Sequence, residues 1–241
     1  MLHRSLAKLG LAAVIAGCFA FGAVAAPRQI IILRHGEKQD AYRLCQVGVQ
    51  RSLALAAQYL GKGAEQPLFT PESPPAAFLA ITLHTLELVS PAASSWSLPV
   101  NLYSVLPMSG QTAAQTTALL NRRTQEAARD VMTNPAWDGK VVVMVWEHHH
   151  IADKALEQQF ASERITLRQL LNLDVAASLP DSWSGDNFDY FWIVNFAEGP
   201  GRPVSVDVRK QAFTGDFATL PSNGWAEPPQ YPANSECEES R

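Results

Sequence analysis

The run Ile30-Ile31-Ile32-Leu33-Arg34-His35-Gly36-Glu37-Lys38 carries an apolar strand straight into a turn of arginine, histidine and glycine. A histidine at the carboxyl end of a buried parallel strand stands where open α/β sheets form their ligand crevice. The arginine beside it offers a planar fork of donors suited to an oxyanion, and Gly36 lets backbone and ligand approach closely. A second junction of this kind comes later, where Val141 to Trp146 run into Glu147-His148-His149-His150. If the two strands lie side by side their carboxyl ends meet, and His35 and His148 face one pocket despite their distance in sequence. An imidazole is a neutral nucleophile near pH 7 once its other nitrogen is held by an acceptor, commonly a backbone carbonyl. Arg34 would strengthen its hold as negative charge develops on a transferring group.

Leu33-Arg34-His35-Gly36-Glu37 resembles the signature of the histidine phosphatase superfamily, whose fold is phosphoglycerate-mutase-like. Further features follow in that family's order: a helix with a Gly-x-x-Arg-Ser pattern (Gly48, Arg51, Ser52), a short strand ending in a polar turn (Phe78 to His84), a long helix, and the hydrophobic strand that ends in Glu147-His148. The match spans roughly residues 28 to 160, and its specific parts are the Arg-His-Gly turn and the later strand-to-His junction. The resemblance implies that His35 attacks phosphorus and becomes phosphohistidine, that Arg34 and His148 hold the phosphoryl oxygens, and that the partner is a small phosphorylated substrate. It implies neither metal nor cofactor. His149 and His150 match no position of the family's motif.

The chain departs from that pattern twice. The second strand of the family normally ends near an arginine of the phosphate pocket, but Thr82-Leu83-His84-Thr85-Leu86-Glu87 contains none. His84 is the candidate substitute, with less charge and no fork, so affinity and rate are expected to be weaker. Arg51 is a second candidate cation, against its reading as a solvated helix residue. The other gap is a general acid for the leaving oxygen. No Asp or Glu lies between Pro99 and Gln125, where the family's mutase-like members lead one to look, so Glu37, Glu147 and Asp153 stand as alternatives. Glu147 precedes His148 on the strand, and strand alternation would aim the two at opposite faces, which points to a structural role for one of them.

Two other readings compete. Glu147-His148-His149-His150 with Asp153 offers zinc-type ligands for a metal-dependent hydrolase, but consecutive histidines point in different directions and no His-Glu-x-x-His helix is present. A non-catalytic relative that binds phosphorylated ligands would explain the missing arginine and acid. The scattered tryptophans fit core packing better than a ligand surface.

The elements that must position these residues alternate. Arg28 to Leu33 is apolar without alternation, as in a strand covered on both faces. Val47 to Leu60 has helical spacing and stops at Gly61. Ala76 to Leu83 reads as a second buried strand, followed by a helix over Thr85 to Trp96 broken or kinked at Pro91. Gln111 to Met132 predicts a long helix capped near Ser109 or Thr112, and Val141 to Trp146 a central strand. Ile151 to Phe160 and Thr166 to Leu173 look helical. Asp189 to Phe196 and Pro203 to Val208 suggest a hairpin across Glu198-Gly199-Pro200-Gly201 that adds antiparallel strands at an edge. The fold class expected is α/β, with a mostly parallel central sheet, helices on both faces and an antiparallel edge hairpin.

Before this domain, His3, Arg4 and Lys8 precede an apolar run to Ala20, and Ala23-Val24-Ala25 offers small residues for cleavage. Residues 1–25 therefore read as an export signal, 26–215 as the histidine-phosphatase-like domain and 216–241 as a proline-rich tail. A periplasmic or secreted protein follows. Ile15-Ala16-Gly17-Cys18 is a competing lipobox that would leave Cys18 as a lipid anchor, and no membrane span is expected in the mature chain. The leader holds Arg4 and Lys8 and no acid, so the remainder is two charges more negative than the −4 of the whole chain. That balance argues against a general affinity for nucleic acid or anionic lipid and makes any phosphate site local. Cys45 and Cys237 remain, and in an oxidising compartment a lone pair tends to bond, which would tie the tail beside the loop after the Arg-His-Gly turn. Specificity is expected from the loops at 38–46, 97–110 and 181–188.

Overall fold

Six strands form one sheet in the order β3-β2-β4-β1-β5-β6. The computed structural model describes residues 26–173, 179–197, 203–232 and 235–237. Residues 1–25, read above as an export signal with Cys18 as an alternative lipid anchor, and residues 198–201, read as the turn of the edge hairpin, lie outside the described residues. β1 (Gln29–Arg34), β4 (Val141–Trp146), β2 (Pro75–Ala80) and β3 (Val100–Leu102) are mutually parallel. β5 (Tyr190–Phe196) pairs antiparallel with β1, and β6 (Pro203–Lys210) antiparallel with β5. The expected class and edge pair are what the structure has.

The unbroken apolar runs follow from two cores. Ile30, Ile32, Val142, Met144 and Trp146 face one, completed by Ala127, Ala128 and Val131 of α3 (Ala113–Thr133). Ile31, Leu33, Val143 and Val145 face the other, under Leu55 of α1 (Gln46–Leu55) and Leu88, Val89 and Ala92 of α2 (Leu83–Ser95). Every side chain of β1 and β4 thus meets protein on its own face, and polar alternation has no place there. No helix among the described residues is long and apolar enough to cross a membrane.

Several boundaries differ from the sequence reading. α1 passes into one π-helical turn, Ala56–Leu60, before Gly61. β2 ends at Ala80, so His84 stands in the first turn of α2, where Thr82 and Thr85 form a reciprocal cap. Pro91 does not break α2. Its missing N–H frees the Glu87 carbonyl, which shares the Ser52 hydroxyl (3.1 Å) with the Leu88 carbonyl (2.8 Å). α3 begins after Thr112, which caps it with Gln115. β3 lies in a stretch read as loop and is only three residues long, too short for a pattern. After β4 come three short helices: α4 (His148–Ile151), α5 (Lys154–Gln159) and α6 (Leu167–Leu170).

The two ends of the described chain are tied down. Ala26 N–H donates to Asp138 Oδ1 at 3.1 Å, and its carbonyl accepts from Gly139 at 2.9 Å, beside the amino end of β4. The tail forms no long element but bonds to the body. Pro221 O accepts from Arg51 (2.9 Å), Gly224 O from Asn187 (2.9 Å), and Ala226 N–H donates to Asn187 Oδ1 (2.7 Å). A disulfide joins Cys45 to Cys237.

Candidate active site

The two strand ends identified in the sequence are neighbours. β1 and β4 pair in register, Arg34 opposite Trp146, and the His35 N–H donates to the Trp146 carbonyl at 3.0 Å. One residue beyond β1 and two beyond β4, the imidazoles come together: His148 Nδ1 lies 3.4 Å from His35 Nε2, with ring centroids 5.6 Å apart.

His35 is buried, and its Nδ1 lies 2.8 Å from the carbonyl of Gly36. A carbonyl only accepts, so Nδ1 carries the proton and Nε2 keeps a lone pair. Burial, then the charges of Lys38 and Arg34, hold its pKa well below 6.5, against a smaller upward pull from the Gly36 bond. The ring is therefore a neutral base with its free nitrogen turned toward Arg34, Glu147 and His148. His148 is likewise kept neutral, by burial first and then by Arg34.

Arg34 is aimed by protein on its far side. Nη1 donates to the carbonyls of Ser184 (3.0 Å), Gly185 (2.6 Å) and Asn187 (3.3 Å), while the guanidinium carbon sits 3.9 Å from the centroid of the Phe188 ring. Nη2 is left to face His35 Nε2 at 3.2 Å. Burial pushes the Arg34 pKa down to about 10, with Glu147 and Glu37 opposing, which leaves the charge intact at neutral pH. Asn187 is itself fixed through the tail, so the 184–188 loop is a backing plate for the guanidinium.

Glu147 changes the picture drawn from alternation. β4 stops at Trp146, and Glu147 caps α4 instead of continuing the strand. The change of element turns both Glu147 and His148 to His35, with Glu147 Oε2 3.4 Å from His35 Nε2. The same oxygen accepts from Lys38 Nζ at 3.0 Å, and Oε1 accepts from the Thr82 hydroxyl at 2.7 Å. Burial, the largest influence, favours the neutral acid, but Lys38 and the Thr82 hydroxyl outweigh it and bring the carboxyl down to about 2.

The other candidates are placed differently. His84 is buried with its ring centroid 6.3 Å from that of His35. Its Nε2 lies 2.7 Å from the Asp40 carbonyl, and Nδ1 is buried without a hydrogen-bond partner. Burial, then Lys38, lowers its pKa. Arg51 and Glu37 are paired with one another in the interior: Nη2 donates to Oε1 at 2.6 Å and Nε to Oε2 at 3.0 Å. Burial disfavours the Arg51 charge, yet Glu37 more than compensates and its pKa is raised. The pair holds α1 to the Arg-His-Gly turn, and the cation and the acid sought there neutralise each other. The reading of Arg51 as a solvated helix residue does not hold either, since it is 1 % exposed.

Of the proposed zinc cluster, His149 pairs with Asp153 (2.5 Å) and His150 with Asn121 (2.9 Å), away from one another. His35, Glu147 and His148 do offer ligand atoms within 4.8 Å of one another. Arg34 and Lys38 already direct their cations at two of those atoms, a surrounding that suits an anion. Sequence reasoning missed Lys38. It stands four residues after Arg34 in the loop that leaves the strand end, and that basic residue beside the turn was the available signal.

No family model and no curated protein matches the chain in sequence. Among solved structures it is similar to one described as mycobacterial hydrolase 2, at 15% identity and TM-score 0.38 over 87% of this chain and 94% of that one. It is also similar to a mycobacterial glucosyl-3-phosphoglycerate phosphatase in complex with inorganic phosphate, at 15% identity and TM-score 0.39 over 80% of this chain and 99% of that one.

Proposed function

We propose that the chain is an extracytoplasmic phosphatase that hydrolyses phosphate monoesters through a phosphohistidine on His35, as the Arg-His-Gly resemblance implies. One observation carries the reading: a buried, neutral His35 with Nδ1 held by the Gly36 carbonyl presents Nε2 between Arg34 and His148. Nε2 attacks phosphorus, the ester P–O bond breaks with its electron pair on the leaving oxygen, and that oxygen takes up a proton. Arg34 Nη2 gives its hydrogen bond to a phosphoryl oxygen, as His148 does, while charge builds on the transferring group. Water then attacks the phosphohistidine, returns Nε2 to its resting state and releases inorganic phosphate. Lys38, bonded to Glu147 beside Nε2, is the cation that complements Arg34 where the family's second arginine is missing, whereas neutral His84 gives its one N–H to the Asp40 carbonyl and offers only an acceptor at Nδ1.

The test is direct. After incubation with a phosphorus-labelled aryl phosphate and an alkaline quench, label should map to His35, stable to alkali and lost in acid. His35→Ala should show no label and a turnover lowered by a factor on the order of 10³ or more. Undiminished turnover in that variant sinks the proposal.

A further inference from the structure

The phosphatase reading leaves one difficulty: the carboxylate nearest His35 is ionised, whereas the leaving oxygen needs an acid. Glu37, the other acid of the turn, is occupied by Arg51. The arrangement around Glu147 resolves this. Its Oε2 is shared between Lys38 Nζ at 3.0 Å and the nucleophilic Nε2 at 3.4 Å. The side chain of Lys38 is 26% exposed and that of Glu147 13%, so the cation sits at the outer flank on a flexible four-carbon stem and water reaches the acid. Glu147 also lines a cleft of about 340 Å³ with Thr117, Leu120, His149 and Leu156. Glu147 thus meets the attacking imidazole and also borders an open cleft.

We propose that Lys38 and Glu147 form a proton gate operated by the substrate: a bound phosphate dianion draws Lys38 away, and Glu147 then takes up the proton it delivers to the leaving oxygen. The proposal rests on the phosphatase reading. A phosphate ester dianion carries twice the charge of the carboxylate and competes for Lys38 on Coulombic grounds. Once Lys38 has moved, every remaining change favours the neutral acid, because burial stays, the opposite charge leaves and a like charge arrives. The groups that face Glu147 are Arg34 and His35 from β1, Lys38 from the following loop, Thr82 and His84 at the start of α2, and His148 and His150 from α4. The imidazoles of His35, His84, His148 and His150 are held toward the neutral form by burial, so they do not replace the charge that Lys38 removes. The proton comes from solvent, passes from Glu147 to the leaving oxygen as the P–O bond breaks, and is matched by one that Glu147 accepts from the water attacking phosphohistidine. When phosphate leaves, Glu147 releases that proton to solvent and Lys38 returns.

Calorimetric titration of the full chain with inorganic phosphate at pH 7, in two buffers of different ionisation enthalpy, counts the protons taken up on binding. The wild type should take up about one proton more than Glu147→Gln, and Lys38→Met should lose most of that difference. In turnover, Glu147→Gln should lose a factor on the order of 10²–10⁴ on an alkyl phosphate and far less on dinitrophenyl phosphate, whose leaving group needs no acid. Equal proton counts in wild type and Glu147→Gln, with phosphate still bound, overturn the gate and leave the phosphatase reading intact. Equal losses on both esters do the same. No phosphate binding by the wild type overturns both.

Discussion

A guanidinium held on three sides is a different tool from a mobile charge, and Arg34 is of the first kind. Three carbonyls on Nη1 and the Phe188 ring fix it, so that Nη2 is turned to the reacting group. Lysine at this position keeps the charge but supplies neither the fork nor the stacking surface. Arg34→Lys should therefore lower kcat/KM toward an aryl phosphate by a factor on the order of 10²–10³, measured on protein whose circular dichroism confirms folding. An unchanged value would mean that the orientation of Arg34 contributes nothing. The Arg-His-Gly turn and His148 were legible in the sequence because each follows directly on an apolar strand, and strand ends converge. Lys38 was not, since its place beside Glu147 depends on how the loop after the turn folds back. Glu147 was misplaced because alternation was extended two residues beyond the strand, over Glu147 and His148.

At the level of elements, the Gly-x-x-Arg-Ser pattern of α1 acquires three separate physical reasons. A side chain on Gly48 would meet the Glu37 carbonyl at 2.3 Å, so helix and turn touch backbone to backbone. Arg51 neutralises the Glu37 carboxylate. Ser52 serves the carbonyl that Pro91 leaves free. The first of these predicts that Gly48→Ala pushes α1 from the turn and costs about 1–3 kcal/mol, read from urea unfolding, with catalytic loss larger than the lost fraction of folded protein because His35 moves too. Unaltered stability and activity would contradict the close packing. The sequence made most strands and the long helix readable through periodicity and caps. Of the break or kink it suggested at Pro91, the break does not occur, because α2 runs on through the proline, and it missed β3, which is too short to carry a pattern.

Over the whole molecule, the abundance of buried imidazole sets a pH dependence. His35, His84, His148 and His150 all have pKa values lowered chiefly by burial, His150 to about 4. In the unfolded chain they would titrate near 6.5, so the unfolded state binds more protons below that pH and stability falls as pH drops toward the folded values. His150 alone should cost roughly 3 kcal/mol across that window. Glu147, held at about 2, adds a loss as pH falls below the ordinary carboxylate range. Urea midpoints should therefore decline steadily from pH 7 to pH 4, and a flat profile would contradict the buried neutral rings.

The anchoring of Ala26 beside Gly139 and Asp138 also has a geometric consequence. It lies at the amino ends of the central strands, and His35 lies at their carboxyl ends, so the six residues of β1, about 20 Å of extended chain, separate them. Ala26 therefore stands at the pole opposite the pocket, and a substitution that loosens its bond to Asp138 should leave the geometry around His35 untouched.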